Sequence, residues 1–142
     1  MYKDILFPID LLETSSWKQA VSVIREYANA FKPRIHVMTV VPDIGMNIVS
    51  QYISDDAADK IIKETTKALH RFTEEHMKGV DKLHHIVTQG VVYKSIIDTS
   101  RRIKADLVIM SAHRPELKDY LLGPNAARVV RHSECSVLVV RH

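Results

Sequence analysis

Five short segments of the chain are rich in branched apolar residues, and longer amphipathic stretches separate them. The apolar segments span residues 5–10, 35–41, 83–88, 105–110 and 136–140. In the last two, residues 107–110 and 137–140 are apolar without interruption. Such runs are typical of strands that are covered on both faces, as in a parallel sheet. The segment at 83–88 is the most polar of the five, so we expect it at an edge.

The intervening stretches carry apolar residues at helical spacing and predict four helices. The predicted helices span residues 13–31, 55–77, 92–104 and 126–132. Pro33 ends the first, because proline cannot continue a helix. Asp55 or Asp56 lies near the N-cap of the second, and Gly79 ends it. Strands that alternate with helices predict an α/β fold with a parallel sheet and right-handed crossovers.

Residues 43–54 fit neither pattern. This stretch contains Gly45 among several apolar side chains. It is interpreted either as a packed connection or early helical turn, or as a lid or subunit contact, with a slight preference for the first.

The loop between the fourth strand and the last helix carries the candidate chemistry. A glycine close to a helix start suits anion binding, because the first N–H groups of a helix lack internal partners and the helix dipole adds partial positive charge. The candidate residues at the two ends of this loop are Met110, Ser111, Ala112, His113, Arg114, Gly123, Pro124 and Asn125.

This segment resembles the nucleotide-binding signature of the universal stress protein family, and its bacterial F/G-type branch in particular. The family pattern is Gly, two residues, Gly, nine residues, Gly, and then Ser or Thr. Gly123 matches the last glycine, whereas Ser111 and Arg114 stand at the first two glycine positions. The spacer is one residue short, and Pro124 replaces the hydroxyl residue. The resemblance extends over the whole chain.

The resemblance implies a flavodoxin-like, doubly wound, five-stranded parallel sheet of order 3-2-1-4-5. Ligands of such sheets bind beyond the carboxyl ends of the strands, where the order reverses. Asp10, after the first strand, and the loop from Ser111 to Arg114, after the fourth, should therefore face the same crevice.

The resemblance also implies roles for residues outside the loop. Pro8 and Ile9 would shape the floor of the crevice. Asp10 would accept hydrogen bonds from ribose hydroxyls, cap the first helix, or do both. The backbone of Val40 would contact adenine.

Charged and conformationally special residues would hold the phosphates. Gly123 can adopt angles closed to other residues and permits close approach to the main chain, although a plain turn is the alternative. Asn125 could cap the last helix or offer its N–H to a phosphate. Arg114 could pair with phosphate or be an ordinary solvated arginine. The resemblance gives His113 a phosphate contact or a role in ordering the loop.

The fifth strand is expected at an edge, yet it is as apolar as a central strand. An exposed apolar edge favours pairing with another chain. A homodimer through Val137, Leu138, Val139 and Val140 is therefore predicted, as the resemblance also implies. The alternative is a strand covered by its own helices with its edge open to water.

The composition favours a single globular domain and argues against a membrane-spanning or nucleic-acid-binding protein. The 142 residues, 46% hydrophobic and 26% charged, suit one domain over residues 1–142. A single cysteine, Cys135, and a start that leads directly into a strand indicate a cytoplasmic protein without a signal peptide. No apolar run approaches a membrane span. The net charge of +3 is too mild to favour nucleic acid.

Other chemistry has little support in the sequence. The P-loop and dinucleotide fingerprints are absent. His84 and His85 should point to opposite faces of a strand, and His132 with Cys135 lacks further ligands, so no metal site is predicted. Thr14, Ser15 and Ser16 have no activating base nearby.

The predicted function, which rests on the resemblance, is a homodimeric stress-response protein that binds ATP or another adenine nucleotide, such as AMP, as a regulatory ligand. Mg²⁺ could accompany the nucleotide without protein ligands, and any hydrolysis or autophosphorylation should be slow. Two alternatives remain: a nucleotide-free dimerisation and protein-interaction module, which the lost glycines favour, and an adenine-nucleotide α-hydrolase-type enzyme.

Overall fold

A computed structural model of the protein describes residues 1–42, 55–112 and 123–141. Over these ranges, strands and helices alternate from the first strand to the last. The elements are β1 (Asp4–Pro8), α1 (Lys18–Phe31), β2 (Arg34–Val41), α2 (Asp55–His76), β3 (Leu83–Gln89), α3 (Val92–Arg102), β4 (Leu107–Ser111), α4 (Pro124–His132) and β5 (Ser136–Val140). The stretch at 43–54, for which two interpretations were open, lies outside the described residues.

All strand pairs are parallel, and the order is β3-β2-β1-β4-β5. This is the flavodoxin-like, doubly wound sheet that the resemblance implied, and the prediction is confirmed. The most polar strand, β3, lies at one edge and β5 at the other, as expected. The order reverses between β1 and β4, so the topological switch point, at which sheets of this type bind their ligands, lies there.

The two faces of the sheet are covered by different helices because side chains alternate along each strand. Ile5 and Phe7 of β1 point into one core cluster, together with Ile24 of α1 and Leu69 of α2. Leu6 points to the opposite face. There it joins a second cluster of buried residues, which includes Met38, Ile96, Val108 and Val129.

The seam between β1 and β4 is short. Its register contains only the pairs Ile5↔Leu107 and Leu6↔Val108. Below it, the Asp106 carboxylate accepts hydrogen bonds from the backbone N–H groups of Lys3 and Asp4, at 2.8 and 3.1 Å. The two halves of the sheet are thus joined by few backbone bonds and by this side chain.

Two boundaries near the first helix differ from the prediction. The first strand ends at Pro8 rather than at Asp10, and α1 begins at Lys18 rather than at residue 13. A 3₁₀ turn at Thr14–Ser16 fills the interval. Local hydrogen bonds of Asp10 and Ser16 stabilise this connection, and such side-chain bonds to the backbone compete with helix formation.

At the amino end of the sheet, the carboxylate of Asp4 contacts Arg34 and His36 of β2. Nε and Nη2 of Arg34 each lie 2.7 Å from a carboxylate oxygen of Asp4, and Nε2 of His36 lies 3.0 Å from Oδ1. The hydrogen bond from the Arg34 guanidinium is the main cause that lowers the pKa of Asp4 from 3.8 to about 2, and His36 adds to it. Asp4 therefore stays ionised in the folded protein when it would be protonated in the unfolded chain.

Asp4→Asn should lower the free energy of unfolding at neutral pH by about 1 to 2 kcal/mol, a figure reduced for the exposure of Arg34. Because the folded pKa is depressed, the stabilisation by Asp4 is complete above its ordinary pKa of 3.8 and is lost as pH falls toward about 2. Urea unfolding across this range should show a shallower pH dependence for the variant. The control is Asp81→Asn at an exposed site, and an equal slope in parent and Asp4→Asn would contradict the prediction.

Candidate functional site

A cavity of about 610 Å³ lies at the carboxyl ends of β1, β2 and β4, at the switch point of the sheet. Its walls come from the loop after β1, from the ends of these strands, from one flank of α2, from Val92 and Ile96 of α3 and from the start of α4.

The predicted site residues that fall within the described ranges all line this cavity. They are Pro8, Ile9, Asp10, Val40, Met110, Ser111, Ala112, Gly123, Pro124 and Asn125. His113 and Arg114 lie outside the described residues. The sequence thus places residues from three separated stretches of the chain around one space, because the carboxyl ends of parallel strands meet at one edge of the sheet.

Asp10 is held by its own loop. Its Oδ1 accepts the N–H of Leu12 at 3.0 Å, its N–H donates to Oγ of Ser16 at 2.9 Å, and Oγ of Ser16 donates to the Asp10 carbonyl at 2.9 Å. The expectation that Asp10 caps the first helix is wrong, since Trp17 occupies the N-cap of α1. The exposed Asp10 carboxylate keeps acceptor capacity toward the cavity, because an ionised carboxylate has about four lone-pair sites.

Ser111 connects the two loops that flank the switch point. Its hydroxyl donates to the backbone carbonyl of Ser15 at 2.9 Å. This bond joins the loop after β1 to the end of β4, above the short seam between the strands. The Ser111 proton is therefore used within the protein, and only the lone pairs of its oxygen remain for a ligand.

The start of α4 faces the cavity and corrects two expectations. Gly123, not Asn125, is the N-cap, and Pro124 occupies the first turn, where its fixed φ suits a helix start. Gly123 has φ −66° and ψ 163°, angles open to any residue, so its left-handed freedom is not used. The first intrahelical bond runs from Ala127 N–H to the Gly123 carbonyl at 2.9 Å. The N–H groups of Asn125 and Ala126 precede it and have no partner within the helix.

One flank of α2 forms a wall that the sequence reasoning missed. The residues of this wall are Ile61, Glu64, Thr65, Ala68 and Arg71. The sequence spacing puts Ile61, Thr65, Ala68 and Phe72 on one apolar or small face of this helix. Phe72 is buried in the core beside Leu69, whereas the other three line the cavity. The signal available in the sequence was the polar pair Glu64 and Arg71 at the same helical spacing.

Carboxylates outnumber cations in the described part of the lining. Asp10, Glu13 and Glu64 contribute negative charge, and Arg71 contributes positive charge. Within residues 1–42, 55–112 and 123–141, His, Cys, Asp and Glu side chains form no group of three or more that could hold a metal ion. The helices of these same ranges include none that is long and apolar enough to cross a membrane.

Comparison with known proteins agrees with this architecture. The sequence model of the universal stress protein family matches residues 1–141. Universal stress protein MJ0531 of Methanocaldococcus jannaschii is 29% identical over 150 residues, covering 99% of this chain and 83% of the relative. Universal stress protein G of Escherichia coli O157:H7 is 26% identical over 143 residues, covering 99% of this chain and 100% of the relative.

Solved structures share the fold at lower identity. The hypothetical protein MJ0577 superposes with a TM-score of 0.83 at 22% identity, covering 100% of this chain and 97% of that protein. A universal stress protein in complex with cAMP gives 0.64 at 20%, with coverage of 99% and 97%. A family protein from Arabidopsis thaliana with AMP bound gives 0.63 at 15%, with coverage of 99% and 92%. The family match over nearly the whole sequence shows that the chain belongs to the universal stress protein family.

Proposed function

We propose that the cavity at the switch point binds an adenine nucleotide, ATP or AMP, as a regulatory ligand of this stress protein. The observation that carries the proposal is the start of α4 at the cavity, with the N–H groups of Asn125 and Ala126 free of helical partners. Backbone donors at a helix N-terminus favour phosphate. Two structural neighbours hold adenine nucleotides, one cAMP and the other AMP.

The three parts of a nucleotide match three parts of the lining. Phosphate belongs at Gly123 and the first turn of α4. The ribose hydroxyls belong at Asp10, whose carboxylate is anchored by Leu12 and still exposed. Adenine belongs beside the end of β2, where the backbone of Val40 could supply donor and acceptor groups.

A regulatory role is favoured over rapid turnover. General acid–base catalysis requires a side chain within hydrogen-bond reach of the reacting atoms. Ser111 donates its proton to Ser15, and the carboxylate of Asp10 is assigned to the ribose. Of the two other lining carboxylates, Glu13 accepts the hydroxyl of Ser15 and Glu64 is exposed on α2. Any Mg²⁺ would be held mainly by the phosphates of ATP.

The second candidate is a nucleotide-free interaction module. Pro124 offers no N–H, and the hydroxyl of Ser111 is engaged, so the phosphate end has fewer donors than the family glycine pattern provides.

Native mass spectrometry of the gently purified protein, followed by titration with ATP, ADP, AMP and cAMP, decides between nucleotide binding and the interaction module. A bound or titratable adenine nucleotide supports the proposal. A protein that is bare and binds none of the four would overturn nucleotide binding and favour the module.

Homodimerisation through β5 is the second part of the proposal. Among the described residues, β5 pairs with β4 alone, so its other edge is open. Leu138 and Val140 pack against the first core cluster and Val137 against the second, whereas Val139 belongs to neither. Pairing of this edge with its copy about a two-fold axis would satisfy the open backbone groups.

Val139→Asp should convert a dimer into a monomer of 16.2 kDa. The new carboxylate would have to be buried against the apolar strand of the copy, and burial of an unpaired charge is destabilising. Val139 is chosen over Leu138 because a charge at Leu138 would also disturb the chain's own core. Light scattering after size exclusion measures the mass. The isosteric, neutral Val139→Thr should remain dimeric, and a Val139→Asp dimer would refute this interface.

A further inference from the structure

Two histidines and a threonine connect the outer flank of α2 to the edge strand β3. The rings of His70 and His85 stack with centroids 3.7 Å apart and planes inclined by 19°. The hydroxyl of Thr73 lies 3.0 Å from the His70 carbonyl and 2.8 Å from Nε2 of His85. A hydroxyl has one proton, and here it is donated to the carbonyl. With the Thr73 proton on this carbonyl, Nε2 of His85 is the donor to Thr73, and we assign it the proton of the neutral imidazole.

This contact lies across α2 from the cavity. Successive residues of a helix are rotated by about 100°. Ile61, Thr65 and Ala68 therefore lie on one side of α2, and His70 and Thr73 lie on another side that faces away from the cavity. Leu69 packs into the core between the two sides. The histidine contact thus holds the helix whose opposite flank is a wall of the cavity.

We propose that His70, Thr73 and His85 form a proton-sensitive clasp, which holds the α2 wall of the cavity on β3 and loosens it as the solution becomes acidic. The proposal goes beyond nucleotide binding and does not require it. Two stacked imidazoles tolerate one another when at least one is neutral. When both are protonated, two like charges face each other about 3.7 Å apart, in a partly buried place.

The surroundings of His85 oppose its protonation. Burial lowers the pKa of His85, and the charges of His70 and His84 lower it further. His84, the neighbour on β3, stacks on His36 of β2 on the other face of the sheet. The β2 residue in register with His85 is the apolar Val37. Two neighbouring rings, those of His70 and His84, can therefore add positive charge near His85.

The carboxylates near the clasp do not neutralise it. On α2, the exposed Lys67 and Glu74 flank His70 at the spacing of neighbouring helix turns. Asp4 bonds to His36, on the far side of the sheet from His85. In the described ranges, neither ring of the clasp takes part in an ion pair.

The sign of the pH effect follows from linkage. Because the folded pKa of His85 lies below its ordinary value of 6.5, the opened clasp binds more protons than the closed one. The stabilisation is complete above pH 6.5 and decreases as pH falls below it. The pH window thus lies in the range where histidine changes charge.

Hydrogen exchange without any nucleotide tests the clasp directly. Amides of α2 and β3 should exchange several-fold faster at about pH 5.5 than at about pH 7.5, after correction for intrinsic rates. His85→Gln keeps a side-chain N–H for Thr73 but cannot titrate, so it should remove this acceleration. His132→Gln, an exposed histidine of α4, should respond to acid as the parent does.

A second variant and a spectroscopic readout keep the test decisive if His85→Gln fails to fold. His70→Gln changes an exposed side chain, and it should reduce the acid response. Nitrogen NMR of the parent should show His85 protonated at Nε2 alone at neutral pH, with loss of that state in step with faster α2 exchange. Equal protection of α2 at both pH values, or an unchanged acid response in the folded glutamine variants, would overturn the proposal.

Discussion

Gly123→Asp should reduce the affinity for adenine nucleotides on the order of 100-fold or more while leaving the protein folded. Aspartate is a favoured N-cap residue, and the Gly123 angles of φ −66° and ψ 163° are open to it. Its carboxylate would bond to the same N–H groups of α4 that the proposed phosphate needs, and it would repel that phosphate. Helix stability and ligand affinity should thus move in opposite directions.

The control for this variant is Gly123→Asn. Asparagine caps a helix about as well as aspartate and has nearly the same volume, but it is neutral. Calorimetric titration of both variants with ATP and AMP separates charge from bulk, and thermal unfolding checks the fold. If Gly123→Asp bound nucleotide with the affinity of the parent, the phosphate would not bind at the start of α4. Equal loss in both variants would assign the effect to volume or to occupation of the α4 N–H groups, and not to charge.

Leu69→Ala should destabilise the protein by about 2 to 5 kcal/mol. Leu69 is 0% exposed and packs in the core cluster between α2 and the sheet. Its truncation removes apolar contacts and leaves a cavity that the surroundings fill only in part. Against a total stability of roughly 5–15 kcal/mol, this change is large.

The same substitution at an exposed leucine supplies the control. Leu12 is 96% exposed, so Leu12→Ala should change the free energy of unfolding by no more than about 0.5 kcal/mol. Denaturant unfolding followed by circular dichroism measures both. Similar values for the two variants would mean that α2 is not packed on the sheet as described.

The order of the elements follows from the sequence because two local patterns repeat along it. Uninterrupted apolar runs mark strands buried on both faces, and helical spacing marks the covering helices. The boundary between β1 and α1 could not be read in this way. It depends on the bonds between Asp10 and Ser16, and a periodic pattern contains no information about such bonds.

The parts of the candidate site that follow from strand topology could be predicted from the sequence. The part that depends on how α2 is rotated about its own axis could not. Asp10 and Gly123 lie at the cavity because the carboxyl ends of parallel strands share one edge. The α2 wall was missed because Ala68 and Leu69 both look like core residues in the sequence. Only the packed structure separates the side that faces the core from the side that faces the cavity.

The short seam between β1 and β4 has a mechanical consequence. Two register pairs join the two halves of the sheet. The hydrogen bonds of Asp106 connect the halves at the amino end, and the Ser111–Ser15 hydrogen bond connects them at the carboxyl end. A molecule in the cavity would contact both halves of the sheet and would form a further connection between them near the carboxyl ends of the strands. We therefore expect a bound molecule to restrict movement of the two halves of the sheet relative to each other.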